Sequence, residues 1–324
     1  MGLVTGTPFC PIMTVYDFFI KRALDQLYYN LYWDAEFVIL GTPSGVTLSS
    51  EGAQHSWKSD IQIPNLVTWE PFYAQELDWI VCDAIQRHMS GDNEGRKGVL
   101  IRAVTRGTRQ KVLLESLRKH AAYKAELPAG AQLKPAGDDG HGTDESSLAP
   151  MADVDINARL REDVLEGAYY LVDWRGYEGY EPGDNVVHIF ALGSLVTEAL
   201  GASKRLFELG IMANVIVITS QDMLLGIQGH GDGYRHLTEG LGINADLHAV
   251  PATGISSTDV VSLAARRVPI IAVCDGEAGL VDNIGSIIGV KQRTLAVRKF
   301  SKCGRPSEVY SLQEIDAAAI VDAC

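Results

Sequence analysis

Short apolar runs alternate with amphipathic stretches along this chain, and this alternation most constrains its fold. Residues 37–40 read Phe-Val-Ile-Leu and end at Gly41, and residues 98–105 form another such run. Runs this short, bounded by glycine or proline, are typical of strands buried on both faces of a sheet. Helical periodicity lies between them, so the sequence predicts an α/β fold with parallel strands and right-handed crossovers.

The alternation occurs twice. In the first half the patterns predict strands at 11–16, 37–40, 66–69 and 98–105, and helices at 17–33, 71–87 and 112–122. In the second half they predict strands at 168–174, 185–192, 213–219, 269–274 and 293–297, and helices at 193–209 and 311–323. A chain of 324 residues can form two cores. We therefore expect two parallel-sheet domains, at residues 1–122 and 161–324.

The segment between these domains has a different composition. From Leu127 to Asp155 it consists mainly of Pro, Gly, Ala, Asp and Ser, with few large apolar side chains. Such a composition buries too little surface to offset the entropy of ordering. We therefore expect residues 123–160 to be a flexible linker or an insertion that runs over the surface.

Composition and charge restrict the partners and the compartment. The formal net charge of -13 argues against a nucleic-acid or acidic-membrane partner. The start of the sequence lacks the pattern of a signal peptide, and no apolar run is long enough to span a bilayer. The five cysteines are scattered without a Cys-x-x-Cys pair, which favours reduced thiols over disulfides or zinc. We expect a cytoplasmic protein without a metal site of its own.

A candidate site follows the strand at 37–40. Ligands of parallel sheets bind beyond the carboxyl ends of the strands. The loop that begins after Gly41 carries one carboxylate, Glu51, and one imidazole, His55. Taken alone, a Glu-x-x-x-His pattern on a loop is more often a feature of the solvated surface than of a site.

Four stretches resemble a known family. Residues 16–26 (Tyr-Asp-Phe-Phe-Ile-Lys-Arg-Ala-Leu-Asp-Gln) are similar to the pyrimidine-binding domain of transketolase-like thiamine diphosphate enzymes. Residues 45–55 (Gly-Val-Thr-Leu-Ser-Ser-Glu-Gly-Ala-Gln-His) resemble that domain in the homodimeric pyruvate dehydrogenase decarboxylating component, and residues 63–66 and 74–77 continue the likeness. The half from Glu166 onward resembles, more weakly, the C-terminal domain of these enzymes. The resemblance implies an incomplete pyrimidine-binding domain followed by a transketolase C-terminal-like domain.

The resemblance also implies an activity. The chain would be the C-terminal part or a subunit of a thiamine diphosphate-dependent 2-oxo acid dehydrogenase that decarboxylates pyruvate and transfers the acyl group to a lipoyl acyltransferase. It would act as a homo-oligomer, or as a hetero-oligomer with a subunit that binds Mg²⁺ and the diphosphate. The metal would be held by a domain outside this chain.

Particular residues take roles in this interpretation. The resemblance makes Tyr16, Glu51 and His55 catalytic, and His55 suits proton transfer because imidazole titrates near neutrality. Phe19, with Phe18 as the competing register, would stack on the aminopyrimidine ring, which adds about 0.5–1.5 kcal/mol beyond the buried area. Arg22 would lie near the cofactor. The alternatives are that the phenylalanines pack in the core and that Arg22 pairs with Asp25.

The sequence also departs from the family pattern. The family's glutamate that protonates the pyrimidine ring has no counterpart before Tyr16. Residues 231–233 read Gly-Asp-Gly, but the following asparagines do not fit the spacing of the family's diphosphate motif, so a turn is predicted there. The nearby histidines His230, His236 and His248 lack the spacing of metal ligands.

Two other functions stay open. A transketolase would need basic residues for a sugar phosphate, and Arg102, Arg106 and Arg109 are candidates. A non-catalytic subunit would use the two sheets only for assembly.

Overall fold

A computed structural model of the chain describes residues 6, 9–44, 63–92, 94–104, 106–243, 267–299 and 304–324. The described strands form a four-stranded sheet, a five-stranded sheet and a two-stranded sheet. The predicted α/β class with two main sheets is confirmed. No helix among these residues combines the length and the apolar character that crossing a bilayer requires.

The first sheet is parallel throughout. Its strands are β1 (Ile12–Val15), β2 (Phe37–Ser44), β3 (Leu66–Trp69) and β4 (Gly98–Val104), in the order β1-β2-β4-β3. The helices of this half are α1 (Asp17–Ile20), α2 (Leu24–Tyr32), α3 (Ala74–Ser90) and α4 (Val112–Leu117). The helix predicted at 17–33 is divided by a 3-10 turn at Lys21–Ala23, and the helix predicted from Pro71 begins at Ala74.

The segment between the two main sheets packs against the second half of the chain. It contains β5 (Leu133–Lys134) and β6 (Thr143–Asp144), which pair in parallel, and Leu133 is fully buried beside Tyr177. A further helix, α5 (Asp153–Glu166), begins inside the predicted linker. An apolar stripe at Ile156, Leu160 and Val164 of this helix is buried. The limits of the domains stay a prediction.

The second sheet departs from the expected all-parallel arrangement at one edge. Its strands are β7 (Ala168–Val172), β8 (Val186–Leu192), β9 (Met212–Ile218), β10 (Ile270–Cys274) and β11 (Gln292–Leu295), in the order β11-β10-β8-β9-β7. The edge strand β7 runs antiparallel to β9, and the other pairs are parallel. An apolar run does not encode strand direction, so the sequence pattern does not reveal this reversal.

Several helices cover or follow this sheet: α6 (Val196–Glu208), α7 (Gln221–Leu224), α8 (Ile227–Gly231), α9 (Ile284–Ile288), α10 (Pro306–Gln313) and α11 (Ala317–Ala323). The single helix predicted at 311–323 is wrong, since Glu314 ends α10 with φ 58. Such a left-handed backbone stops a helix at its carboxyl end.

One apolar cluster joins the two main sheets. It includes Val38 and Val99 of the first sheet and Val187 and Val215 of the second. The ends of β3 and β9 are also hydrogen bonded, because the backbone N–H of Glu70 donates to the carbonyl of Thr219 at 2.8 Å. The carboxyl ends of these two strands therefore lie side by side.

Candidate functional site

A buried ion pair fixes the start of α1 against the first sheet. Arg102 lies on β4 opposite Gly41 of β2, and its Nη2 is 3.3 Å from Oδ2 of Asp17. The two side chains are only 1% and 3% exposed. A Cβ atom at Gly41 would lie 2.9 Å from Oδ1 of Asp17, so only glycine allows this close approach. Tyr16 occupies the N-cap position of α1, and the Asp17 carboxylate binds Arg102.

Three of the predicted site residues lie together along α1 and the residues that flank it. The rings of Tyr16 and Phe19 meet edge to face with centroids 5.3 Å apart. The Arg22 guanidinium carbon lies 4.9 Å from the Phe19 ring centroid, in a cation–π contact. Phe19 is 46% exposed, so the alternative of core packing does not describe it. No ion pair between Arg22 and Asp25 is found among the described residues.

A groove runs beside Phe19, between the sheet edge and the helices α1 and α2. Its volume is about 490 Å³, which is within the range of small-molecule sites. Three described polar side chains reach it, Gln26, Asn30 and Glu36. The rest of the lining is mainly apolar and includes Ile12, Met13, Val15, Phe19, Ile20, Leu27, Phe37, Val38 and Ile39. The groove therefore favours a flat, largely apolar group that carries a few hydrogen-bonding atoms.

The positions of the other predicted site residues are described only in part or not at all. Glu51 and His55 are outside the described residues, and so is His248. For Phe18 the backbone is described as part of α1, but its side chain is not. That Glu51 and His55 join Tyr16, Phe19 and Arg22 stays a prediction.

The remaining motifs do not form a metal site within the described part of the chain, where no group of three or more His, Cys, Asp or Glu side chains could hold an ion. The His236 ring bonds through Nε2 to the carbonyl of Ala168 at 2.7 Å. His230 contacts the ring of Tyr234 edge to face. The Gly-Asp-Gly sequence ends α8 and forms a turn, with Gly233 at φ 70.

A buried carboxylate that the sequence did not single out as functional connects the two sheets. The side chain of Glu76 accepts hydrogen bonds through Oε2 from the backbone N–H groups of Phe72 and Tyr73, at 2.6 and 3.0 Å. Its Oε1 accepts a short hydrogen bond from the hydroxyl of Tyr169 on β7. Burial raises the pKa of Glu76 to about 7, although these three bonds oppose the shift. The third-residue position of this glutamate in α3 is a capping-box signal that could have revealed part of this role.

Two of the three arginines considered for a sugar phosphate make contacts within the protein. Arg102 binds Asp17, as described above. Arg106 donates through Nη2 to Glu198 Oε1 at 2.9 Å and through Nη1 to the carbonyl of Ser194 at 3.1 Å. Arg109 is exposed.

Comparison with known proteins identifies the fold of this chain through solved structures. Neither the protein-family models nor the curated protein sequences include a match to this chain. Among solved structures, a mutant transketolase from Pichia stipitis aligns over 96% of this chain and 33% of its own, with 15% identity and a TM-score of 0.53. This chain has a transketolase-like fold.

Transketolases from other organisms agree with this assignment. The enzyme from Leishmania mexicana aligns over 97% of this chain and 33% of its own, with 15% identity and a TM-score of 0.54. The Campylobacter jejuni enzyme aligns over 97% of this chain and 35% of its own, with 12% identity and a TM-score of 0.52. The chain with this transketolase-like fold thus spans about a third of the length of the proteins it resembles.

Proposed function

We propose that this chain supplies the pyrimidine-binding side of a thiamine diphosphate site in a transketolase-like enzyme. The observation that carries the proposal is the partly exposed ring of Phe19, in contact with Tyr16 and Arg22, beside an apolar groove of about 490 Å³. It lies in a chain whose fold matches transketolases. We further propose that the enzyme is the pyruvate-decarboxylating, acetyl-transferring type.

The described residues fit the aminopyrimidine half of the cofactor. A flat heterocycle needs an aromatic face and apolar walls, with a few groups that bond its ring nitrogens and amine. Phe19 and the side chains around the groove provide these features. We expect Mg²⁺ and the diphosphate to be bound by a domain or subunit outside this chain, in a homo-oligomer or a hetero-oligomer.

When bound, thiamine diphosphate supplies the nucleophilic carbon that attacks a 2-oxo group and accepts the electrons released with CO₂. The side chains of this protein would move protons and hold the substrate and the cofactor in position. His55 would move a proton to or from the substrate oxygen, since its imidazole is tunable near neutrality. Glu51 would tune the imidazole of His55 or orient the substrate, and Tyr16 would contact the substrate. Phe19 would hold the aminopyrimidine, with its ring oriented by Arg22.

The arginines support a small 2-oxo acid over a sugar phosphate. A phosphate usually requires one or more cations that are free to bind it. Arg102 and Arg106 are bound to Asp17 and Glu198, which leaves the exposed Arg109 of the three candidates. Pyruvate carries one carboxylate and needs fewer cations. We propose a lipoyl acyltransferase as the acyl acceptor and the cytoplasm as the compartment.

Two-carbon transfer of the transketolase type is the second candidate. Solved structures of the Pichia stipitis transketolase with sugar phosphates are among the proteins with this fold. A non-catalytic assembly subunit is the candidate from another class.

A turnover assay distinguishes these candidates. The chain is mixed with a companion polypeptide that carries the Mg²⁺- and diphosphate-binding domain, thiamine diphosphate, pyruvate and an artificial electron acceptor. We expect pyruvate-dependent reduction of the acceptor. His55→Ala should lower the turnover number by at least about 100-fold, the usual lower range for a positioned acid or base. It should change the melting temperature by no more than the control His230→Ala, an exposed histidine on α8.

The same mixture is then given sugar phosphates in place of pyruvate. Ketol transfer without pyruvate oxidation would favour the second candidate, and no turnover with either substrate would favour the assembly subunit. Equal losses of folding and activity in His55→Ala would contradict the catalytic role of His55.

A further inference from the structure

A second cavity, of about 440 Å³, lies between α4 and α6. One wall consists of Val112, Ser116 and Lys119, from α4 and the turn after it, and the opposite wall includes Leu200, Lys204 and Phe207 of α6. Both sets have the spacing i, i+4, i+7, so each helical segment turns one face toward the cavity. No lining residue is shared with the groove beside Phe19.

The floor of this cavity is aromatic. Trp174, just after β7, stacks on Phe207 with ring centroids 4.6 Å apart and an interplanar angle of 2°. Tyr177 meets the edge of Trp174 at 5.1 Å. The indole Nε1 of Trp174 is buried and has no hydrogen-bond acceptor among the described residues. Such a floor favours a flat aromatic ring.

Each of the three carboxylates that line the cavity lies near a cationic partner. Glu115 pairs with Lys111 at 3.8 Å and Asp173 with Arg175 at 2.7 Å. Glu145 accepts a hydrogen bond of 2.6 Å from the Tyr177 hydroxyl, and the Lys119 ammonium is 3.7 Å from it.

By contrast, no carboxylate within the described part of the chain lies within ion-pair distance of Lys204. Lys204 thus contributes an uncompensated positive charge to the edge of the cavity, in a protein whose formal net charge is -13. An anionic group would be attracted locally to this edge.

We propose that this cavity binds a small planar aromatic anion. The ring of the ligand would lie against Trp174 and Phe207, and its carboxylate, sulfonate or phosphate would lie between Lys119 and Lys204. The insertion after the first sheet contributes Pro135 and Glu145 to the lining, which gives this segment a part in forming the site. The inference does not depend on the proposed cofactor or reaction.

Calorimetric titration of the full chain, without thiamine diphosphate, tests this. The probes are 2-naphthoate and its uncharged analogue 2-naphthalenemethanol. We expect saturable binding of naphthoate at least tenfold tighter than that of the alcohol. The double variant Lys119→Gln/Lys204→Gln should lose at least tenfold in affinity for naphthoate and keep its affinity for the alcohol.

The control is Arg205→Gln/Lys291→Gln, which removes the same charge from exposed positions outside the cavity. It should bind naphthoate like the wild type. Trp174→Leu should weaken the binding of both probes. Absence of naphthoate binding, or equal affinity in the two double variants, would overturn the proposal. Neither result bears on the thiamine site, because no cofactor is present.

Discussion

Replacing Arg102 with methionine is expected to lower the free energy of unfolding by about 3–5 kcal/mol, the usual cost of removing one partner from a buried ion pair. The Asp17 carboxylate, which is 3% exposed, would remain inside the protein without this guanidinium. Because Asp17 begins α1, the loss should also loosen the turn that holds Tyr16, Phe19 and Arg22. Urea denaturation monitored by circular dichroism measures the change in stability.

Arg118→Met is the control for this substitution. Arg118 pairs with Asp153 at 2.7 Å, but the two side chains are 41% and 49% exposed. Exposed pairs contribute about 0–1 kcal/mol, so this variant should be nearly as stable as the wild type. The double variant Asp17→Asn/Arg102→Met should regain part of the loss, since no charge is left buried. A loss in Arg102→Met no larger than in Arg118→Met would contradict the importance of the ion pair.

The second large effect concerns the response of stability to pH. Burial raises the pKa of Glu76 from 4.5 to about 7. The folded protein therefore binds a proton that the unfolded chain has already released in this range, so stability falls as the pH rises from 4.5 to 7. One pKa unit corresponds to about 1.4 kcal/mol, so this group accounts for a fall of about 3 kcal/mol.

Glu76→Gln should remove this part of the pH dependence. Its amide oxygen can accept the N–H bonds from Phe72 and Tyr73, and its Nε2 can donate to the Tyr169 hydroxyl. Relative to the wild type, the variant should therefore gain about 3 kcal/mol in stability between about pH 4.5 and about pH 8. Denaturation at these two pH values measures it.

Other carboxyl groups also titrate in this range, since burial raises the pKa of Asp163 to about 6. Subtracting the stability of the wild type from that of Glu76→Gln at each pH cancels the contribution of these other carboxyl groups. Glu115→Gln, at an exposed position on α4, is the control for the removal of one carboxylate. If Glu76→Gln and the wild type lose stability in parallel as the pH rises, the inference that the pKa of Glu76 is raised is contradicted.

The periodicity of the sequence predicted much of the fold. The strands and most of the helices follow from apolar runs and amphipathic stripes, which depend on neighbouring residues. Pairings between distant residues were not predictable in this way. Asp17 and Arg102 are 85 positions apart, and an aspartate before a helical stretch is equally typical of an N-cap. The same holds for Glu76 and Tyr169, which are 93 positions apart.

Part of the candidate site follows from neighbouring residues, and part of it depends on contacts between distant ones. Tyr16, Phe19 and Arg22 recur at three-residue intervals, so a helical turn brings them together, whereas their roles were implied only by the family resemblance. The groove beside them also requires β1 and β2, whose packing against α1 and α2 depends on the folded chain. Within residues 123–160, where the composition predicts a linker or an insertion, Leu133 and Ile156 are fully buried, and an average composition does not reveal such single apolar positions.

The central claim is that Phe19 holds the aminopyrimidine of thiamine diphosphate at a site completed by another domain. It is tested most directly by titrating thiamine diphosphate, with Mg²⁺, into the chain mixed with the companion polypeptide. We expect saturable binding in the mixture but not with either polypeptide alone, and a loss of at least tenfold in affinity in Phe19→Ala. Equal affinity in Phe19→Ala and the wild type, a loss only in Phe18→Ala, or no binding in the mixture would contradict the claim.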